Sequence, residues 1–418
     1  MSIFIQLHTL AAYPPSNLNR DDLGRPKTAV MGGSQRLRIS SQSSKRAWRT
    51  SDIFKEALSE NIGIRTRDMG IQVYKALTAG YSLSELIEVN TNPSEKNPKM
   101  PEEKARKWAQ SIAGVFGKLK KEKPDDDTKE DSEKEPDYLQ KESPSQLDIG
   151  EMAASEDSKS KKGKSKKEKP KKEVNILQME QLVHFSPEEI SGIDLLITKL
   201  AQSQKDPSDE DLNLLREKHK AVDIAMFGRM LASNPAYSTE AAVQVSHAIT
   251  VHSVTVEDDY FTAVDDLNNK QEATGSAHIG EAEFASGLFY TYICVNCNLL
   301  EKNLNGDKEL AKKALNSLVE CVAKVSPTGK QNSYASRAYA SYILAEKGTQ
   351  QPRSLSVSFL KALNGKDLLE EAITALKITN QKIEAVYGPC SDRKYEMDAY
   401  NAVGTLPGVK SFVANYEG

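Results

Sequence analysis

The chain has 418 residues, of which 38% are hydrophobic and 28% are charged, and its formal net charge at pH 7 is −3. These values are typical of a globular protein with two to three domain-sized units and a polar insertion. No apolar run reaches the ~20 residues of a transmembrane helix, and the first residues lack the features of a signal peptide. Four cysteines in this length argue against a disulfide scaffold. We therefore expect a cytoplasmic protein without a membrane partner.

The first sixty residues are predicted to form a strand, a loop and a helix. Residues 3–12 are rich in apolar side chains and predict a strand that ends at the following Pro-Pro pair. Residues 17–38 are polar and basic, contain a flexible Gly-Gly pair, and predict a loop. The hydroxyls of Ser40 and Ser41 suit the N-cap of a helix over about 42–60.

The next 160 residues or so are predicted to be helical apart from one insertion. Helical pieces are expected over 63–117 and again over 175–217. Residues 118–173 differ because they hold few large apolar side chains and many charged ones, which predicts a disordered charged insertion. A dense lysine run over 159–172 is typical of a solvated linker, with an auxiliary nucleic-acid contact as the alternative.

The rest of the chain alternates predicted strands and helices. Valines recur at strand spacing over 242–264, and residues 283–295 are rich in aromatic and β-branched side chains, so we predict a long hairpin. Helices are expected over 308–325 and 366–378, with a strand over 339–345 between them. The order strand, helix, strand, strand, helix, strand is typical of a ferredoxin-like α+β core, here with inserted lobes.

Positive charge is concentrated near the N-terminus although the whole chain is slightly acidic. Residues 20–49 hold eight basic residues against only Asp21 and Asp22, which gives this stretch a net charge of +6. A local basic stripe is typical of a groove for a polyanion. Three of these basic residues are expected in the loop that precedes the predicted helix: Arg20, Lys27 and Arg36.

The sequence RISSQSSKRAWR over 38–49 is the most informative local segment. Helical spacing places Gln42, Lys45, Arg46 and Arg49 on one face, next to a helix N-terminus that itself attracts phosphate. Lysine and arginine would attract a nucleic-acid backbone, and the glutamine amide can bond to sugar or base edges. A solvated surface face is the alternative for such a pattern.

An aromatic pair lies in the predicted hairpin. Tyr260 and Phe261 are adjacent within the acidic sequence EDDYFTAVDDL. Exposed aromatic side chains on a projecting hairpin can stack on bases or wedge between them. A packing contact with the body of the protein is the alternative.

The sequence carries no recognised catalytic motif. It lacks a phosphate-binding loop, a nucleophile elbow and an HExxH helix, and its six histidines show no metal-ligand spacing, so we expect no cofactor. Asp21 and Asp22 could hold a metal ion for phosphodiester hydrolysis. With no third carboxylate or histidine close by, turn chemistry or pairing with arginines is favoured for them. A nuclease, or an oligomer held by protein contacts alone, remain alternatives to RNA binding.

Six blocks of this sequence resemble the CasC family, the RNA-coating backbone subunit of the type I-E CRISPR Cascade complex. The matching blocks are SNLNRDD (16–22), GGSQRLRISSQSSKRAWR (32–49), VDIAMFGRMLAS (222–233), SHAITVHSVTVEDDYFTAVDDL (246–267), GSAHIGEAEFASGLFYTYICVN (275–296) and, more weakly, TGKQNSYA (328–335).

The resemblance implies an architecture like a right hand. An RRM-like, ferredoxin-type palm would carry an inserted helical fingers domain and a protruding thumb β-hairpin. The implied boundaries are palm at 1–60, 221–252 and 286–418, fingers at 61–220 with the insertion 118–173 inside, and thumb at 253–285. The insertion is not part of the family pattern.

The resemblance also implies a function. Copies of such a subunit polymerise along the CRISPR guide RNA as a helical filament, together with other Cascade subunits, and present the guide for pairing with target DNA. Sequence is then read by base pairing rather than by the protein. The family does not cut nucleic acid, whereas distant relatives in type III complexes do so with a palm-loop aspartate, which keeps a metal-dependent endoribonuclease as the alternative.

RNA-binding residues follow from the resemblance by position. Palm contacts would be made by Arg20, Lys27, Ser40, Gln42, Lys45, Arg46 and Arg49. The thumb wedge would consist of Tyr260, Phe261 and Thr262, and Met230 would flank the RNA from the fingers side. Tyr260 stands where the family often has tryptophan, and Ser34 lies where a basic residue is expected.

Overall fold

The computed structural model describes residues 2–88, 92–121, 176–263 and 278–416. In these ranges the strands, β1 to β11, span Phe4–Ser16, Thr28–Met31, Ser34–Ile39, Ile64–Thr66, Val183–Phe185, Val243–Val245, Ala248–Thr250, Glu257–Ala263, His278–Asn296, Ala340–Gly348 and Arg393–Asp398. The helices, α1 to α12, span Ser41–Thr50, Asp52–Leu58, Met69–Ala79, Leu83–Ile87, Glu102–Phe116, Pro187–Ser203, Val222–Phe227, Cys297–Asn303, Lys308–Lys324, Gln331–Tyr334, Leu368–Tyr387 and Leu406–Ala414. None of these helices has the length and apolarity that crossing a membrane requires.

One large sheet organises the described part of the chain. Its strand order is β11-β10-β1-β9-β7-β3-β2, and β6 and β8 also pair with β9. Neighbouring strands run antiparallel. β9 is 19 residues long, so one end lies inside the sheet while the other extends as a hairpin with β8. The predicted mixture of α and β structure is confirmed, with an antiparallel sheet.

Helices cover both faces of this sheet because side chains alternate along its strands. On β1, Ile5 and Leu7 belong to a buried cluster that includes Phe54 of α2 and Leu315 of α9. Leu10 points the other way, into a cluster with Leu376 of α11. The basic helix α1 contributes to the first cluster through Trp48.

A second apolar core lies among the helices that follow α2. Its members include Val73 of α3, Trp108 and Ile112 of α5, and Ile193 and Ile197 of α6, all fully buried. The short two-stranded sheet of β4 and β5 borders this core through Phe185. This helical lobe therefore has a core of its own beside the large sheet.

The first strand continues through Pro14 and Pro15, so the predicted strand end at these prolines was wrong. Pairing of β1 with β10 stops at Ala11. Pairing with β9 shifts register between Tyr13 and Ser16. The irregular ladder needs no N–H group from either proline, and proline is tolerated at such positions.

Residues 17–38 are not all loop, because they contain β2 and β3 as a tight hairpin. Gly32 and Gly33 have φ values of 58° and 74° and join the paired residues Met31 and Ser34. Two positive φ values are typical of a type I′ turn, which matches the twist of antiparallel strands. The Gly-Gly pair is therefore a fixed turn and not a flexible point.

Arg36 lies on β3 and does not line a groove, contrary to the prediction. Its side chain is fully buried, and its two terminal nitrogens donate to the carbonyl oxygens of Thr250 at 2.9 Å and Phe359 at 3.0 Å. The guanidinium connects β3 to the segment before α11, so its role is structural.

The helix predicted over 42–60 is divided into α1 and α2 by Ser51. The Ser51 N–H donates to the Trp48 carbonyl at 3.1 Å and ends α1. Its hydroxyl accepts from the Phe54 N–H at 3.2 Å and begins α2. Ser51 therefore ends α1 and is also the N-cap of α2, a position at which serine is preferred.

The strand predicted over 242–264 is three separate strands, β6, β7 and β8. Only β8 forms the hairpin with β9, in a register from Glu257 opposite Phe284 to Ala263 opposite His278.

Of the predicted insertion 118–173, residues 122–173 lie outside the described residues. Leu119 is not part of a disordered run, because it pairs with Met179.

Candidate nucleic-acid interface

The start of α1 is fixed by two hydrogen bonds of Ser40. Its hydroxyl accepts from the Ser43 N–H at 3.3 Å, and its own N–H donates to Oδ1 of Asn19 at 2.9 Å. Ser40 is buried. It therefore acts as the N-cap and holds the helix against the preceding loop, so that the positive end of the helix dipole has a defined position.

The predicted basic face of α1 points away from the core. Gln42 and Arg46 are exposed and Lys45 is half-buried, whereas Ser44 and Trp48 are buried on the other side. The spacing of these residues thus places the amide and the cations on one outward surface, as expected for positions three and four apart.

Lys45 is a cation held partly out of water. Its Nζ lies 5.9 Å from the ring centroid of Phe227, and burial lowers the pKa of Lys45. Within the described ranges it has no carboxylate partner. A desolvated and uncompensated ammonium group favours an external anion.

Arg49 lies at the inner end of the same face. Its guanidinium is 3.5 Å from the carboxylate of Asp223, which is fully buried. Burial lowers the pKa of Arg49, the attraction of Asp223 opposes that effect, and repulsion from Arg65 and Arg46 adds to it. Arg65, which is exposed on β4, therefore extends the basic surface. Arg65 lies outside the basic stretch 20–49 on which the sequence prediction rested, so it was not predicted.

The loop before β2 is closed by the carboxylate of Asp21. Oδ1 of Asp21 accepts from the N–H groups of Leu23 and Arg25, both at 2.9 Å. Asp21 thus serves as a turn residue, while Asp22 is exposed. No group of histidine, cysteine and acidic residues within the described ranges has an arrangement that could hold a metal ion.

The same loop places Arg20 and Lys27 close to α1. Arg20 is exposed and forms a backbone bridge with Pro26. The Lys27 N–H donates to the Asn19 carbonyl, and the Lys27 carbonyl accepts from the Arg38 N–H, both at 2.8 Å. Since Asn19 also bonds to Ser40, the loop and the helix start form one unit.

The stem of the β8–β9 hairpin is joined to this loop. Nε of Arg25 lies 3.1 Å from the carboxylate of Glu283 on β9. The buried side-chain amide of Asn17 donates to the carbonyls of Glu283 and Gly24, each at 2.9 Å. The hairpin therefore leaves the body of the protein at a fixed place beside the basic loop.

The aromatic pair lies on β8, and both side chains are exposed rather than part of a buried core. Tyr260 is 64% exposed and Phe261 46%, and Thr262 is also exposed. Phe261 stands opposite Gly280, and a methyl group at Gly280 would come within 2.3 Å of the Phe261 ring. The Phe261 ring thus lies across the glycine.

Met230 is 82% exposed on a short rigid segment. The preceding Arg229 is buried, with its guanidinium 2.7 Å from the carboxylate of Glu189, and its backbone exchanges two hydrogen bonds with Thr239. These contacts hold the Met230 side chain in solvent.

Two further polar residues stand beside Lys27 and were not predicted as site residues. Arg38 on β3 donates to Nδ1 of His247 at 2.8 Å. The sequence analysis considered His247 only as a metal ligand. Its contact with Arg38 was not predictable, because the two residues are more than 200 positions apart in the sequence.

Comparison with known proteins identifies the family. The model of the family described as CT1975-like protein matches residues 5–406. The chain belongs to this family. The CT1975-like match includes α1, the loop before it and both strands of the hairpin.

Solved structures with the same fold as this CT1975-like protein are known. One chain, from a CRISPR RNA-guided surveillance complex described as pre-nicking, has 25% sequence identity and a TM-score of 0.69. A second, from a CRISPR RNA-guided surveillance complex, has 20% identity and a TM-score of 0.61, and supports the fold alone. Each comparison covers 98% of this chain and 99% of the other. No curated protein matches the chain.

Proposed function

We propose that this CT1975-like protein is the RNA-binding backbone subunit of a type I-E CRISPR surveillance complex. Copies of the chain polymerise along the CRISPR guide RNA, together with the other Cascade subunits, and present the guide for pairing with target DNA. Family membership and the 25% identical chain from a surveillance complex support a CRISPR-associated role.

The observation that carries the proposal is the outward face of α1. Gln42, Lys45 and Arg46 project from a helix whose N-terminus is capped and anchored. Lys45 is partly desolvated and has no carboxylate partner in the described residues. Phosphate contacts of this kind position a nucleic acid without reading its sequence, which suits a protein that coats guides of any sequence.

In this proposal the large sheet with its helices is the RRM-like palm, the helical lobe is the fingers domain and the β8–β9 hairpin is the thumb. The exposed Tyr260 and Phe261 then displace or stack on a nucleotide held by a neighbouring copy. Ion pairing of Arg25 with Glu283 supports this reading, because it fixes the thumb relative to the RNA-binding loop.

We propose further that the chain is not an enzyme. The Asp21 carboxylate is occupied by two backbone N–H groups of its own loop, which favours turn formation over metal binding. We expect no metal-dependent cleavage of complementary RNA by the assembled complex, and the same result with Asp21→Ala and Asp22→Ala. Cleavage that either variant abolishes would favour the nuclease alternative.

The proposed function is tested by co-expression with guide RNA. Size exclusion and the ratio of absorbance at 260 and 280 nm should reveal a large species with nuclease-protected RNA. The variant Lys45→Ala/Arg46→Ala removes one half-buried and one exposed cation, so we expect weaker binding to all RNA sequences. The slope of log affinity against log salt concentration should fall by about 1.4, because each phosphate contact with single-stranded RNA contributes about 0.7. Lys382→Ala, which removes an exposed cation of α11, is the control. A monomer free of RNA in the presence of guide and partner subunits would reject the proposal.

A further inference from the structure

Three nitrogen-bearing side chains form a second polar cluster next to the start of α1. Arg38 lies at the end of β3, two residues before the N-cap Ser40. Lys27 stands beside it, since the Lys27 carbonyl accepts from the Arg38 N–H at 2.8 Å. His247 immediately precedes β7, which pairs with β3 through Arg38 opposite Ile249. The cluster is thus built from three separate segments of the chain.

The contact between Arg38 and His247 defines the tautomer of the imidazole. A guanidinium can only donate hydrogen bonds, so at 2.8 Å Nδ1 of His247 is the acceptor and the ring proton is on Nε2. Burial lowers the pKa of His247, and repulsion from Arg38 and Lys27 lowers it further. The neutral, exposed ring therefore offers one N–H donor to the solvent.

Among the described residues, no acidic side chain compensates the cations of this cluster. Neither Lys27 nor Arg38 has a carboxylate partner in the ranges that the structure describes. Other surface lysines are paired, such as Lys107 with Asp206 at 2.6 Å. Two adjacent cations and one N–H donor suit an anion with several acceptor oxygens, and phosphate meets that requirement.

We propose that Lys27, Arg38 and His247 form a phosphate-binding subsite, which holds the RNA phosphate next to the one bound at α1. The inference rests on the proposed function, because the phosphate is that of the RNA backbone. Arg38 binds the phosphate and orients His247, and the Nε2–H of His247 adds a hydrogen bond. Of these three residues, the sequence analysis predicted only Lys27 as an RNA-binding residue.

The test measures binding of a labelled single-stranded RNA to the full-length protein at several salt concentrations. We expect Arg38→Ala to weaken binding about tenfold, as for loss of one charge-assisted hydrogen bond, and to lower the salt slope by about 0.7. His247→Ala should weaken binding by a smaller factor without changing the slope. His247→Gln should restore most of the affinity, because the glutamine amide can donate in place of Nε2–H.

The controls separate this subsite from the rest of the interface. Lys382→Ala should leave affinity and slope unchanged, since α11 packs over β1 and β10. If Arg38→Ala binds like the wild type while Lys45→Ala/Arg46→Ala binds weakly, the subsite is rejected and the proposed function stands. A lowered melting temperature with an unchanged salt slope in Arg38→Ala would also reject it, by showing a structural role. No RNA binding by the wild type would count against both proposals.

Discussion

Arg49 and Asp223 connect the candidate RNA surface to the helical lobe. The guanidinium of Arg49 on α1 lies 3.5 Å from the Asp223 carboxylate. The same carboxylate accepts from the Gly63 N–H at 2.8 Å and from Nε2 of His184 at 2.7 Å. Gly63 immediately precedes β4, and His184 lies on β5. These two strands form the small sheet of the lobe. One buried anion therefore joins the end of α1 to both strands of that sheet.

The first prediction concerns this anion. Asp223→Ala should lower the free energy of unfolding by about 3–5 kcal/mol, because it removes the partner of several buried donors. Asp223→Asn should cost about 1–3 kcal/mol, since the amide oxygen can still accept from Gly63. Unfolding in urea measures both. Asp209→Asn, at an exposed position, is the control and should change stability little. Equal losses for Asp223→Asn and Asp209→Asn would contradict a structural role for the buried charge.

The second prediction concerns pH and a buried network around Glu346. Burial acts to raise the pKa of Glu346, but hydrogen bonds from His8 and Arg353 outweigh it and hold that pKa below its usual range. Burial lowers the pKa of His8, whose Nε2 lies 3.2 Å from Glu346 and whose Nδ1 lies 2.9 Å from the Tyr290 hydroxyl. Both native groups therefore bind fewer protons at low pH than they do in the unfolded chain.

The sign of the effect follows from linkage. Stability should fall as the pH drops below the ordinary histidine value of 6.5, and further below the ordinary glutamate value of 4.5. His8→Gln should remove up to about 1.4 kcal/mol per pH unit from the slope between pH 6.5 and 5. Urea unfolding at pH 7.5, 6.5 and 5.5 measures the slope. An unchanged slope in His8→Gln would contradict a neutral buried imidazole.

The third prediction concerns the hairpin. Phe261→Ala should impair assembly on guide RNA or binding of target DNA while the melting temperature changes little, because the ring is 46% exposed. Gly280→Ala should have a similar effect, since the added methyl group would displace the Phe261 ring. Tyr387→Ala, at an exposed aromatic residue of α11, should leave assembly unchanged. A large loss of stability with normal assembly would make Phe261 a core residue instead.

Sequence periodicity was sufficient for elements that bury one regular face. The helix predicted over 308–325 is α9, which ends one residue earlier. The strand predicted over 339–345 is β10, which begins one residue later and ends three residues later. The helix predicted over 366–378 extends to Tyr387 as α11. Its last turns are largely exposed, with Val386 and Tyr387 in solvent, so their side chains gave no amphipathic signal.

Contacts distant in sequence were not predictable in this way. Arg36 and Arg38 are two positions apart and have the same side chain. Arg36 is nevertheless buried and donates to the carbonyls of Thr250 and Phe359, whereas Arg38 donates to the exposed His247. The prediction that Tyr260 would be exposed agreed with the structure because acidic neighbours exclude it from a core. Local charge and spacing therefore located the candidate surface, and only tertiary packing decided which basic residues face outward.

The fourth prediction concerns the segment 122–175, which lies outside the described residues. The chain enters and leaves this segment at one place: Leu119 pairs with Met179, the Lys120 N–H donates to the Gln178 carbonyl, and the Glu180 N–H donates to the Lys118 carbonyl, both at 2.9 Å. A short Gly-Ser linker can span such adjacent ends, and loop length has only a weak effect on stability. Replacing 122–175 by this linker should leave the melting temperature nearly unchanged.

A matched deletion shows where the structural requirement begins. Replacing 118–180 should destabilise the helical lobe, because Leu177 and Met179 are buried in its core and each large apolar side chain contributes about 1.5–3 kcal/mol. Failure of the 122–175 replacement to fold would show that the segment supports the lobe. RNA titrations of the folded replacement then distinguish the two interpretations of the lysine run over 159–172. Unchanged affinity and salt slope fit a solvated linker, whereas a lower slope means that these lysines contact RNA phosphates.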